Sequence, residues 1–311
     1  MTIHARNVVL ALVLAALCAA SFLFERPSAV ALERGPLAPG FDPAAVEKIE
    51  LAAGDGAPLT LARREGTWRV VERDGFKAYA FAVDELLARV RGLQRSDKIG
   101  AEAAAHELQG VGAAGTRLTF ADAAGRTLLA LVQGAPAGLA AGSNVRLAGE
   151  NDVYRAPALP PTPLAPAAWL DTHLMSFQPA SVRAVVLSHG ASGALDLLRD
   201  EQGWRVQDAA GGRVPRTRVE RLLQVASNLI FADVIDAAVS PETGFGTPPE
   251  ALLELELEGG ERQALWVGRQ TKAGAYCATN PHWEKPWCVA LPADTAEVLF
   301  AALDDVAAGA R

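Results

Sequence analysis

The sequence predicts an α+β protein: an N-terminal transmembrane helix, then two tandem units of one design. Each unit is a mostly antiparallel sheet with an amphipathic helix packed on it. Three observations lead there. A 17-residue apolar run opens the chain. The stretch Trp68-Arg69-Val70, a turn around Gly75, and a helix with Val83, Leu86, Leu87, Val90 and Leu93 recurs 136 residues later. There it reads Trp204-Arg205-Val206, Gly211, then Val219, Leu222, Leu223, Ala226 and Leu229. The third observation is alternation of apolar and polar residues in short runs between Gly and Pro turn signals, which is the period of half-buried strands.

The composition suits this class. With 311 residues, 50% of them apolar, the chain is long enough for two domains with real cores. A net charge of −7 with scattered basic residues offers no stripe for a phosphate backbone, so no nucleic acid is expected as a partner. Three cysteines are too few for a disulfide scaffold.

Residues 8–24 are almost wholly apolar and follow Arg6. As a helix they span about 25 Å, near the lower limit for crossing a bilayer. His4 and Arg6 before the run, against a balanced Glu25-Arg26 after it, place the N-terminus in the cytoplasm and the body in the periplasm. A cleaved signal peptide ending near Ala29-Val30-Ala31 is the rival reading of residues 1–24. Residues 25–40 carry Pro27, Pro36 and Pro39 with Gly35 and Gly40, the composition of an extended linker.

The first unit spans residues 41–156 and the second residues 169–311. Phe41-Asp42-Pro43-Ala44-Ala45-Val46 answers Phe177-Gln178-Pro179-Ala180-Ser181-Val182, and without gaps 19 of the 57 positions from 41 to 97 are identical at the offset of 136. Two copies indicate a duplicated domain rather than a solenoid, which needs more and shorter repeats. Residues 46–51, 59–63 and 68–72 read as a β-meander and the helix follows. Strands are then expected at 117–120, 128–133 and 152–156. In the second copy Leu253, Leu255 and Leu257 alternate with Glu254, Glu256 and Glu258, a core face and a wet face. Pro157, Pro160, Pro161, Pro163 and Pro166 make residues 157–168 a stiff linker. Asp294 with Glu297 reads as a capping box for a closing helix over 295–308.

Chemical motifs are sparse. The run Gly110-Val111-Gly112-Ala113-Ala114-Gly115 fits GxGxxG. It follows a helix-like stretch (101–108) and precedes a strand, the reverse of the dinucleotide arrangement, and so reads as a turn. Gly190-Ala191-Ser192-Gly193 lacks the final glycine of a nucleophile elbow. His4, His106, His173, His189 and His282 are dispersed, without the spacing of a helical metal motif. No catalytic residue, cofactor or metal is assigned.

One local constellation stands out: Cys277, His282 and Cys288. Three readings stay open: a disulfide between Cys277 and Cys288, a zinc site lacking a clear fourth ligand, or two free core cysteines. Around them Tyr276, Trp283 and Trp287 form an aromatic cluster absent from the first copy. It reads either as a contact surface or as rings packed on their own sheet.

The N-terminal anchor, the "LAPGFDPAAVEKI" run from Leu37, the L-x-L-x-R…G-x-W-x-V stretch, the Val-x-x-Leu-Leu helix and the Gly-Phe-Gly-x-Pro segment from Gly244 resemble the DUF4340 family. The likeness takes in both copies. The first departs from it at Leu108-Gln109-Gly110-Val111. The resemblance implies a membrane-anchored protein outside the cytoplasm, in a family some of whose members are related to auxiliary components of gliding-motility-type ABC transporters. It brings no catalytic residues. The expected function is therefore a non-catalytic accessory or scaffold protein of the cell inner membrane, single-pass, partnered by the membrane and by a membrane protein such as an ABC transporter. Two alternatives stand beside it. One is a module binding a lipid, glycan or peptide between the units, and the other is a hydrolase whose site gathers distant residues.

Overall fold

The computed structural model describes residues 35–95, 98–134, 142–190, 193–207, 212–243, 245–246 and 248–310. The expected transmembrane helix lies outside the described residues. Among the described residues no helix is long and apolar enough to cross a membrane.

The first unit is a nine-stranded antiparallel sheet with one helix. Its strands are β1 (Lys48–Ala53), β2 (Leu59–Arg64), β3 (Thr67–Val70), β4 (Phe76–Lys77), β5 (Lys98–Gly100), β6 (Thr116–Ala121), β7 (Thr127–Gly134), β8 (Ser143–Leu147) and β9 (Val153–Ala156), in the spatial order β4-β3-β2-β1-β6-β7-β8-β9-β5. The helix α1 (Ala80–Arg91) carries the chain from β4 at one edge to β5 at the other. It therefore crosses the sheet and buries one stripe, Val83, Leu86, Leu87 and Val90.

The second unit repeats this strand for strand. β10 (Val182–His189), β11 (Leu195–Asp200), β12 (Gly203–Val206), β13 (Arg213–Val214), β14 (Val234–Asp236), β15 (Ala251–Leu257), β16 (Arg262–Gln270), β17 (Tyr276–Thr279) and β18 (Cys288–Leu291) lie in the order β13-β12-β11-β10-β15-β16-β17-β18-β14. Helix α2 (Arg216–Ser227) buries Val219, Leu222, Leu223 and Ala226, the positions equivalent to those of α1. The two tryptophans hold the same place. Trp68 pairs with Arg63 and is 4% exposed; Trp204 pairs with Arg199 and is 2% exposed. In β15 the leucines face the core while Glu254 is half-buried and Glu256 exposed, as alternation requires.

Several boundaries differ from expectation. Leu37, in the expected linker, is already part of the first unit: its amide donates to the Leu93 carbonyl at 2.7 Å and its side chain is buried. A leucine in a Pro/Gly-rich stretch has an apolar surface that the adjoining core recruits. The Pro-rich segment is not a free spacer either. Gln133 Nε2 donates to the Pro160 carbonyl, the Thr162 amide donates back to Gln133 Oε1, and Leu159 is buried. It is sewn along the first unit. In the second unit the chain after the last strand forms α3 (Ala293–Gly309), packed on α2. No capping box starts α3. Pro292 already supplies the extended entry (φ −57°, ψ 146°), so the helix begins earlier than expected and Asp294 sits inside its first turn, bonded to the Thr295 amide. The helix-like stretch before Gly110 contains only a short 3-10 turn, Ala103–Ala105. Gly110 and its neighbours form a turn; a Cβ on Gly134 would stand 2.8 Å from the Gly110 carbonyl carbon, so β7 needs glycine at its end.

Surface ion pairs add a pH dependence. The hydrogen bond from Lys98 holds the Asp152 carboxyl below the usual aspartate range, and that from Arg213 does the same for Asp200. Depressed folded values mean that stability is present above the unfolded pKa of about 3.9 and lost as pH falls through the folded values. Denaturant unfolding followed from neutral pH into acid is expected to lose stability below about pH 4. An Asp152→Asn/Asp200→Asn double variant should lose less over the same window.

Candidate functional site

The seam between the two units gathers most of the chemistry that sets this chain apart from two loosely joined copies. It starts at the turn between β3 and β4. Asp74 (φ 54°) and Gly75 (φ 70°) are successive left-handed residues, and Arg69 Nη1 donates to the Gly75 carbonyl at 3.0 Å. This tight reversal points Arg73 and Phe76 toward the second unit. Arg73 binds Asp233 with two parallel hydrogen bonds, Nε to Oδ1 at 2.6 Å and Nη2 to Oδ2 at 2.8 Å. Asp233 thereby holds the guanidinium above its ordinary range. Bidentate geometry makes this pair more specific than a generic surface pair. Arg69 reaches Glu284, and Lys285 donates to the Asp74 carbonyl at 3.4 Å.

Beside these polar contacts lies an aromatic box. The Phe76 ring sits 5.0 Å from Trp287, 5.2 Å from Trp283 and 5.3 Å from Phe231, all edge-to-face. The aromatic residues expected to form a contact surface are therefore placed as follows. Trp287 is buried and Trp283 half-buried, both against the other unit of their own chain. Tyr276 lies apart and packs on Phe300 of α3 at 5.2 Å. The rings of Trp283 and Trp287 face inward, across the seam, because Phe76 at the edge of the first unit's sheet supplies an apolar partner for them.

Behind the box, β17 and β18 are joined by the Cys277–Cys288 disulfide, with Cα atoms 5.4 Å apart and both residues fully buried. The bond closes the loop that carries Trp283 and Trp287. Peptide mapping without reductant should recover Cys277 linked to Cys288. Reduction should cost about 2–3 kcal/mol of stability from loop-closure entropy. Free thiols at both positions would refute the bond.

A bridging segment completes the seam. The Trp169 carbonyl accepts from Tyr79 and the Asp171 amide donates to Lys77, both in the first unit. The Leu174 amide then donates to Leu229, and Phe231 donates to Thr172, in the second. Along this segment opens a cleft of about 460 Å³, lined by Phe76 and Lys77 of the first unit, Asp171, His173 and Ser176 of the bridge, and Gln263, Asn280, His282 and Trp283 of the second.

The other histidines stand elsewhere: His106 bonds the Asn151 carbonyl, and His189 pairs with Asp304 while stacking on Phe300. His4 and the Ala191-Ser192 pair of the elbow-like turn lie outside the described residues. Among the described residues no three His, Cys, Asp or Glu side chains converge as a metal site, and no histidine ring bonds a hydroxyl or thiol. His282 lines the cleft, away from the cysteine pair.

Arg73, Phe76, Phe231 and Asp233 were not singled out by sequence reasoning as seam residues. A signal for the first two existed. In an otherwise matched stretch, Arg73 and Phe76 face Ala209 and Gly212 at the offset of 136. A seam between two copies is asymmetric, and here it uses diverged positions, Arg73 and Phe76, beside Arg69, which both copies share.

A family model described as "Domain of unknown function (DUF4340)" matches residues 68–248, from Trp68 in β3 to the loop before β15. No curated protein and no solved structure matches the chain.

Proposed function

Because the chain belongs to the DUF4340 family, whose description assigns no activity, we propose from its own architecture that it is a non-catalytic accessory protein, tethered to the membrane and standing outside the cytoplasm. Its task is to present a rigid two-unit body to a membrane complex, an ABC-type transporter being the partner that the family resemblance favours. The observation that carries this reading is the seam. Two copies of one module are fixed to each other by a bidentate ion pair, an aromatic box and a hydrogen-bonded bridge. Such locking suits a spacer or platform, which transmits position, better than a hinged enzyme, which must open and close.

The tether falls to residues 8–24, whose apolar run follows Arg6 and His4. A buried disulfide supports an oxidising compartment. The test is fractionation followed by affinity capture of the full chain in mild detergent. The protein should resist a carbonate wash, be released by detergent, and bring an integral membrane protein with it. A chain found free in the cytosol, or one that emerges from detergent alone, would overturn the reading.

A further inference from the structure

We propose that the cleft along the seam is a binding site for a neutral, polyhydroxylated ligand, a saccharide of one or two rings. Its volume of about 460 Å³ lies in the range of small-molecule sites. It is open to solvent at a junction of two units, where such sites recur.

The lining chooses the ligand class. Lys77 and Asp171 are the cleft's lysine and carboxylate, and their charges cancel at neutral pH, so neither an anion nor a cation is favoured by net charge. Asp171, Ser176 and the Gln263 carbonyl can accept hydrogen bonds and Lys77 and Ser176 can donate them, while the buried Asn280 is already bonded to the Leu174 carbonyl and the His282 amide. A hydroxyl group both donates and accepts, so a ring bearing several hydroxyls can satisfy such a mixed set. Phe76 and the half-buried Trp283 form an aromatic wall, the surface on which the C–H face of a sugar ring packs. A lipid tail needs a longer apolar wall. A peptide strand needs free backbone groups, and those of Lys77 and Asp171 here are already bonded to each other at 3.0 Å.

A second observation points to a ligand. The side chains of Lys77, Ser176 and His282 reach the cleft from three different parts of the chain and have no hydrogen-bond partner among the described residues. The neighbouring His173 is held by Asp171 at 3.3 Å, so its imidazole is oriented rather than free. All three are exposed, so their polar ends are open to a hydroxylated ligand beside the aromatic wall.

The experiment titrates the full chain in detergent with maltose, cellobiose and N,N′-diacetylchitobiose. Tryptophan fluorescence and saturation-transfer NMR are the readouts, and inorganic phosphate and acetate are the charged controls. At least one saccharide should give a saturable signal below about 10 mM, with transfer to its ring protons. Ser176→Ala and His282→Ala remove unpartnered exposed groups and should leave the melting temperature unchanged. Each should weaken saccharide binding by about tenfold, the scale of one lost hydrogen bond. The proposal is overturned if no saccharide binds, if phosphate or acetate binds while saccharides do not, or if both variants bind saccharide as the unaltered chain does. Membrane capture is scored separately, so loss of the saccharide site leaves the accessory reading standing, and the converse.

Discussion

Phe76→Ala is expected to destabilise the chain by about 3–5 kcal/mol, the cost of truncating a buried aromatic and leaving a cavity. The ring is 4% exposed and meets three aromatic partners, each at 5.0–5.3 Å in an edge-to-face arrangement. Such contacts add about 0.5–1.5 kcal/mol apiece beyond the area they bury. All three partners belong to the second unit, so this one truncation strikes the core where it runs from one unit into the other. Denaturant unfolding measures the loss. A double-mutant cycle with Trp287→Ala should be non-additive, because the two rings share one cavity. If Phe76→Ala costs under about 1 kcal/mol, the aromatic box does not hold the units together.

The second large effect concerns the repeated tryptophans. Trp68→Ala and Trp204→Ala should each cost about 3–5 kcal/mol, and the two losses should agree to within about 1 kcal/mol. Both rings are at most 4% exposed, both pair across the strand with an arginine, and both sit beneath a helix with the same four buried positions. Lying in different units, in two sheets that share no strand, they should add in the double variant to within about 0.5 kcal/mol. A large loss at one site with a negligible loss at the other would mean that the copies no longer share one packing scheme.

These two expectations draw on different parts of the sequence, and the difference shows what was legible. Trp68 and Trp204 announce themselves, since a strand residue and the helix stripe after it are local patterns that recur at a fixed offset. The alternating β15 and the meanders are legible for the same reason: period and turn chemistry act within a few residues. Short edge strands such as β4 and β5 were missed because two or three residues carry no period. Their pairing is set by the helix that takes the chain across the sheet. The proline-rich segment reads as a spacer by composition, yet Leu159 and Gln133 bind it to the first unit. Composition does not report which surface waits beside it.

The candidate site was the least legible part. Trp283 and Trp287 stood out as aromatic, but their partner Phe76 lies some two hundred residues earlier. Nothing local states that the ring would face another unit. Asp233 carries no local signal, and its use by Arg73 is a product of the joint. Likewise Lys77, Asp171, His173 and His282 carry no motif spacing, and they converge only where the bridging segment passes between the units.

Scanning calorimetry of the unaltered chain and of Phe76→Ala tests the central claim most directly, that two copies of one module are fused by an aromatic seam into one body. The unaltered protein should unfold in a single transition whose calorimetric and van't Hoff enthalpies agree, and Phe76→Ala should split it into two. Two separate transitions in the unaltered chain would contradict the account.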